Sequence, residues 1–117
     1  MTAAALRRLG PQDRKAARAL LRPAFTRYAH ALGREPSPEG YRGLDRALDP
    51  ASGRAWGFEA DGRLLAGAFV EFRDGGAWEL ERLAALPEAT GRGFGARLLH
   101  HVEAEARAMH APRIALV

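Results

Sequence analysis

Apolar residues between Arg14 and about Leu32 recur every three or four positions, at Ala17, Leu20, Leu21, Ala24, Phe25, Tyr28 and Leu32. That spacing lines one face of an α-helix. Asp13, just ahead of the run, is an N-cap candidate, because a short carboxylate can accept from the free N–H groups of a first turn. Pro23 lies inside the run and predicts a kink or a split: it has no N–H and its ring crowds the preceding turn. After the linker "GREPSP", Ser37 followed by Pro38 reads as an N-cap with proline at the first helical position. A second, shorter helix is predicted over 38–48, carrying Tyr41, Leu44 and Leu48 and ending at Asp49-Pro50.

The texture then changes to that of strands. "RAWGFEA" (54–60), "RLLAGAFVEFR" (63–73) and "AWELERLAAL" (77–86) are separated by Asp61-Gly62 and by "DGG" at 74–76. Asp-Gly suits the positive φ angles of a type I′ hairpin, so the three strands are expected to form an antiparallel meander. "AALRRLG" (3–9) predicts a short first strand. Leu98, Leu99, Val102, Ala106 and Met109 mark one face of a helix over about 94–110, Pro112 closes it, and "RIALV" (113–117) begins a last strand. Because "IALV" is apolar throughout, it is expected to be buried on both faces. The predicted order is β-α-α-β-β-β-α-β: a mixed α/β fold with a mainly antiparallel sheet, in a single domain over 1–117.

Composition narrows the function classes. Apolar residues make up 47% of the 117, typical of a globular domain. No apolar run approaches the roughly 20 residues of a membrane span, so no membrane partner is expected and a cytoplasmic setting is the default. There is no cysteine, which excludes disulfides, thiolate metal sites and a cysteine nucleophile. The formal charge is +4, but Lys15 is the only lysine and the arginines are scattered among acids. With no block of like charge, a nucleic-acid partner is not expected, and the surplus suits a site for an anionic small molecule. His100 and His101 lack metal-ligand spacing, so no metal is expected and both are read as surface residues. Ser37 and Ser52, the only serines, are not in G-x-S-x-G, which argues against a serine hydrolase.

The most informative stretch is "PEATGRGFGA" (87–96). It formally matches the dinucleotide fingerprint G-x-G-x-x-G/A. That fingerprint needs a strand running directly into the first glycine within a βαβ unit, and an acidic residue about 20 positions on. Here Pro87 to Thr90 intervene, the preceding strand belongs to a meander, and "RIALV" has no acid. A P-loop is excluded because no lysine is present there. A plain glycine turn remains an alternative. The context favours an anion site, since the first N–H groups of a helix have no acceptor behind them and point outward. Gly91, Gly93 and Gly95 remove side chains that would hold a phosphate away, and Arg92 adds charge.

The stretch "LERLAALPEATGRGFGARLL" resembles the acetyl-CoA-binding motif of the GNAT superfamily of N-acetyltransferases. The family pattern is Gln or Arg, two variable residues, Gly, one variable residue, then Gly or Ala; it falls on Thr90, Gly93 and Gly95. The two small residues match, and Thr90 stands where the family has Gln or Arg. The element order also resembles the family's over nearly the whole chain. The resemblance implies that Thr90, Gly91, Arg92, Gly93, Phe94, Gly95 and Ala96 hold the pyrophosphate end of acetyl-CoA. It implies that the main chain of Leu83, Ala84 and Ala85 pairs with the pantetheine arm, near a bulge that opens the sheet. The function implied is transfer of an acetyl group to a primary amine by direct attack in a ternary complex. A non-catalytic CoA-binding regulatory domain of the same fold is the alternative.

An arriving ammonium must lose a proton. Glu79 and Glu81 are two apart on one predicted strand and so share a face, which Leu83 is expected to continue. The resemblance makes one or both the general base. The competing reading is a solvated strand face paired with Arg54, Arg63 or Arg82. Trp56 and Trp78, on strands expected to be adjacent, are assigned to core or rim packing. Tyr28, Tyr41, Glu35 and Asp45 fall in the two-helix region that the family uses to shape the acceptor pocket, with a core role expected for each. Small molecules and peptides both remain open as acceptors, as does a homodimer. The family fold normally adds another helix, often bearing a tyrosine that protonates the leaving thiolate, and a final β-hairpin. The expectation is therefore that 1–117 is a piece of a longer acetyltransferase or is completed by a partner chain.

Overall fold

The computed structural model describes residues 3–31, 33 and 41–116, and the side chains of 24–30 and 42 lie outside that description. Strand β1 (Ala5–Leu9) leads through a 3₁₀ turn at Pro11–Asp13 into helix α1 (Arg14–Ala31). Helix α2 (Arg42–Leu48) follows, then β2 (Gly53–Ala60), β3 (Arg63–Phe72), β4 (Trp78–Ala85), α3 (Phe94–Ala108) and β5 (Ile114–Leu116). The strands lie in chain order across one sheet. The first three pairings are antiparallel, and β4 with β5 is parallel. The predicted order and the mixed sheet are therefore both present.

Local chemistry explains the turns. Asp61 and Gly62 adopt φ angles of 52° and 75°, the two left-handed positions of the expected type I′ hairpin. Asp13 does not cap α1. Its carboxylate accepts from the Gly10 N–H at 2.9 Å and pairs with Arg7 at 2.7 Å, closing the strand–helix corner instead. Arg7 and the Gly10 N–H together hold that carboxylate below the usual range. Pro23 does not split α1, which is continuous from Arg14 to Ala31. Ala17, Leu20 and Leu21, each at most 2% exposed, anchor the first half on the sheet against a proline cost of about 3 kcal/mol. The Ser37-Pro38 cap and Glu35 lie outside the described residues.

Helices cover both faces. On one, Phe94 of α3 meets Phe58 at 4.8 Å between ring centroids, and Leu98 and Val102 are fully buried. On the other, Gly53 lies so close to α2 that a Cβ there would stand 2.7 Å from the Cα of Ala47. Gly67 is close as well, with a Cβ falling 3.0 Å from Cδ2 of Leu20 on α1. Phe58, Phe69, Leu21 and Leu98 are less than 2% exposed, and each such side chain contributes roughly 1.5–3 kcal/mol of burial.

Two expectations change. Trp56 and Trp78 are core residues, at 4% and 3% exposure, but they sit on β2 and β4 with β3 between them, their rings 6.1 Å apart. The last strand is not buried on both faces: β5 pairs with β4 alone among the described residues, and Leu116 is 68% exposed. No helix of the described residues is long and apolar enough to cross a membrane.

Candidate active site

The glycine loop forms the mouth of α3. Pro87–Ala89 make a 3₁₀ turn, and Gly91 and Gly93 follow at φ 78° and 80°. Those angles strain any residue with a Cβ, which is why glycine stands at both. Around each, the space a Cβ would enter is open to 4 Å. Gly93 is the N-cap, and the first helical bond runs from the Arg97 N–H to its carbonyl at 3.2 Å. The N–H groups of Phe94, Gly95 and Ala96 therefore have no acceptor within the helix. Phe94 is buried and fixes the helix start, while Arg92 lies over its ring at 5.0 Å. Thr90 is exposed, but its hydroxyl donates to the Pro87 carbonyl at 2.8 Å and offers an outside ligand only lone pairs.

Strand β4 changes character at Glu81. Val70 pairs with Leu80 and Phe69 with Arg82, so Glu81 is the extra residue of a bulge. The bulge reverses the alternation. Leu83 pairs with Ala68 and Leu80 with Val70, which puts Leu83 on the face of Leu80 and opposite Glu79. The expected continuation of the glutamate face into Leu83 is thus corrected. The Leu83 side chain instead reaches toward α3, where a Cβ on Gly95 would stand 3.9 Å from it. Strand β5 pairs only with residues 78–80. Among the described residues, the main chain of Leu83, Ala84 and Ala85 is bonded to β3 and has no strand on its other edge.

Glu79 and Glu81 do meet, through a residue the sequence reading missed. Arg73 Nε donates to Glu79 Oε2 at 2.5 Å, and its Nη2 donates to Glu81 Oε1 at 2.6 Å and to Glu71 Oε2 at 3.0 Å. Glu71, only 4% exposed, also pairs with Arg46 of α2 at 3.0 Å. The expected partners are engaged elsewhere. Arg54 donates to the Pro50 and Gly53 carbonyls, Arg63 pairs with Glu88, and Arg82 donates to the Glu81 main-chain carbonyl. The signal for Glu71 was in the sequence: a carboxylate inside the apolar run "AGAFVEF" must be buried and paired.

The two glutamates are driven apart electrostatically. The Arg73 guanidinium holds Glu79 below the usual carboxylate range. A hydrogen bond shared with Glu71, burial, and the neighbouring Glu79 push Glu81 up to about 7. One carboxylate is therefore pinned in its charged form, and the other exchanges its proton near neutrality, the property a general base requires.

The remaining candidates have structural partners. His100 is exposed, but His101 is not a free surface residue: it stands edge-on to Trp56 at 5.4 Å and lies 3.5 Å from Glu105. Asp45 pairs with Arg14 at 2.6 Å, and Arg18 lies over the Tyr41 ring at 4.6 Å. The Tyr28 side chain is outside the described residues.

The model of the acetyltransferase (GNAT) family matches residues 14–117. The chain belongs to the GNAT acetyltransferase family. No curated protein sequence matches it. Solved structures share the fold. A ribosomal-protein-alanine N-acetyltransferase from Brucella melitensis biovar Abortus 2308 is 19% identical, with a TM-score of 0.71 over 97% of this chain and 79% of that one. A GNAT family acetyltransferase from Staphylococcus aureus subsp. aureus is 18% identical, with a TM-score of 0.75 over 94% and 97%. An aminoglycoside N-acetyltransferase in complex with CoA is 16% identical, with a TM-score of 0.69 over 100% and 78%.

Proposed function

We propose that the protein transfers an acetyl group from acetyl-CoA to a primary amine. Family membership supports acetyl-CoA as co-substrate, and solved relatives of the same fold are complexed with CoA. The local features fit that molecule. The N–H groups of residues 94–96 suit a pyrophosphate, with Gly91 and Gly93 leaving space and Arg92 adding charge. The unpaired edge of Leu83, Ala84 and Ala85 suits the amide-bearing pantetheine arm, which can pair as a strand does.

The observation that carries the reaction is the bulge at Glu81, which bears a carboxyl titrating at about 7 on the strand that flanks the thioester path. Glu81 accepts a proton from the acceptor ammonium. The freed amine nitrogen bonds to the acetyl carbonyl carbon, the carbon–sulfur bond breaks, and the CoA thiolate leaves while the nitrogen gives up its second proton, which balances the one the thiolate takes up. Glu79, held ionised by Arg73, supplies negative potential that favours a cationic acceptor. No covalent enzyme intermediate is required, in keeping with the absence of cysteine.

Calorimetry with acetyl-CoA, followed by an amine-dependent thiol-release assay, tests the reading. Binding with transfer that drops about 10²–10⁴-fold in Glu81→Gln is expected. Binding without transfer to any amine would make the protein a CoA-binding domain, and no binding would remove the reading altogether.

A further inference from the structure

Arg73 does more than pair with the glutamates. It leaves the end of β3 into a turn where Gly75 and Gly76 take φ angles of 75° and 81°. Its side chain remains 39% exposed while it reaches Glu71, Glu79 and Glu81, whose side chains are 6%, 24% and 20% exposed. It therefore closes the carboxylates from the solvent side. An ammonium that is to hand its proton to Glu81 must come within about 2.6–3.2 Å of that carboxylate. Arg73 Nη2 already stands 2.6 Å from Glu81 Oε1. A second cation placed there would meet the guanidinium at contact distance.

We propose that Arg73 is a specificity-determining stand-in for the acceptor's cation, pairing with these carboxylates until an alkylammonium acceptor displaces it. The inference rests on the reading of Glu81 as the base. Displacement is feasible because Arg73 reaches in from an exposed turn, and because Glu71 keeps its second partner, Arg46, when Arg73 leaves. A weakly basic aromatic amine, uncharged at neutral pH, brings no cation to replace the guanidinium. It would leave partly buried carboxylates unpaired, which is strongly unfavourable. The acceptor class selected is thus a charged aliphatic amine.

The test uses the CoA-saturated protein, titrated calorimetrically with 1,4-diaminobutane and with aniline. The wild type should bind the diamine at least about tenfold more tightly than aniline. Arg73→Gln should tighten the diamine about fivefold by removing the internal competitor, and Arg73→Lys, which keeps the charge, should stay near wild type. Where transfer is measurable, the gain in Arg73→Gln should fall in KM rather than kcat. Aniline binding as tightly as the diamine, or diamine binding that weakens or stays unchanged in Arg73→Gln, would overturn the proposal. If Arg73→Gln fails to fold, the wild-type comparison decides alone. Loss of acetyl transfer with the amine preference intact would count against the enzymatic reading and leave the stand-in role standing.

Discussion

Glu71→Gln probes the carboxylate cluster at its buried end. Glu71 is 4% exposed, and its hydrogen bond with Glu81 is the leading cause of that carboxyl titrating at about 7. Glutamine keeps the shape and removes the charge. Glu81 then faces one carboxylate, Glu79, with Arg73 still 2.6 Å away and no longer shared with Glu71. Removing a like charge while strengthening an opposite one should bring the Glu81 midpoint to about pH 6 or below. A step limited by an ionised base loses about tenfold in rate per pH unit below that midpoint. The wild type at pH 6 should therefore run at about one-tenth of its plateau, and Glu71→Gln at about one-half. The assay is kcat/KM for acetyl transfer between pH 5 and 9, read from thiol release. The midpoint belongs to the coupled cluster, so carboxyl NMR of the same variants assigns it. A midpoint that stays at about 7 in Glu71→Gln, or that persists in Glu81→Gln, would refute the role given to Glu81.

Glu81 has a raised folded pKa, so the native state binds its proton more tightly than the unfolded chain and loses stability as pH rises from about 4 to about 7. Glu81→Gln should therefore gain stability over wild type across that window and keep a constant advantage above it, as measured by urea midpoints. Glu79 runs oppositely: its depressed pKa contributes stability above the ordinary carboxylate range that is lost on acidification, so Glu79→Gln should be the less stable protein at pH 7 and converge with wild type in acid. Gly53→Ala would force a Cβ to 2.7 Å from the Arg46 carbonyl and the Ala47 Cα, and should cost about 3 kcal/mol or more in urea unfolding. Gly93→Ala meets no atom within 4 Å but must adopt φ 80°; it should cost about 1–2 kcal/mol and weaken acetyl-CoA binding in calorimetry, and unchanged binding would argue against the α3 mouth as the phosphate site.

Periodicity was enough for the fold because each element carries its own signal. Leu98, Val102 and Ala106 recur at helical spacing and are all buried on α3, and Asp61-Gly62 encodes its hairpin in two residues. Where a burial expectation failed, at β5, the apolar run was real but its neighbours were not encoded in it: strand composition does not say how many strands will flank it. The site was legible only in its parts. Spacing put Glu79 and Glu81 on one face, the resemblance made them candidate bases, and context singled out the glycine loop. The period-two argument that joined Glu79 to Leu83, however, assumes an unbroken ladder, and one extra residue at Glu81 reverses every side chain beyond it. The resemblance implied a bulge near Leu83–Ala85, but the residues of "WELERLAA" do not place it at Glu81, because the insertion is a property of the pairing with β3 and not of either strand alone. Arg73 was missed for a related reason. It lies six residues from Glu79 in sequence, across a turn, and becomes a partner only when β3 and β4 pair and bring their ends together. The bulge thus lets Leu83 face α3 without moving Glu81 away from Arg73. The mouth of α3 and the carboxylate cluster are consequently reached from opposite sides of one strand.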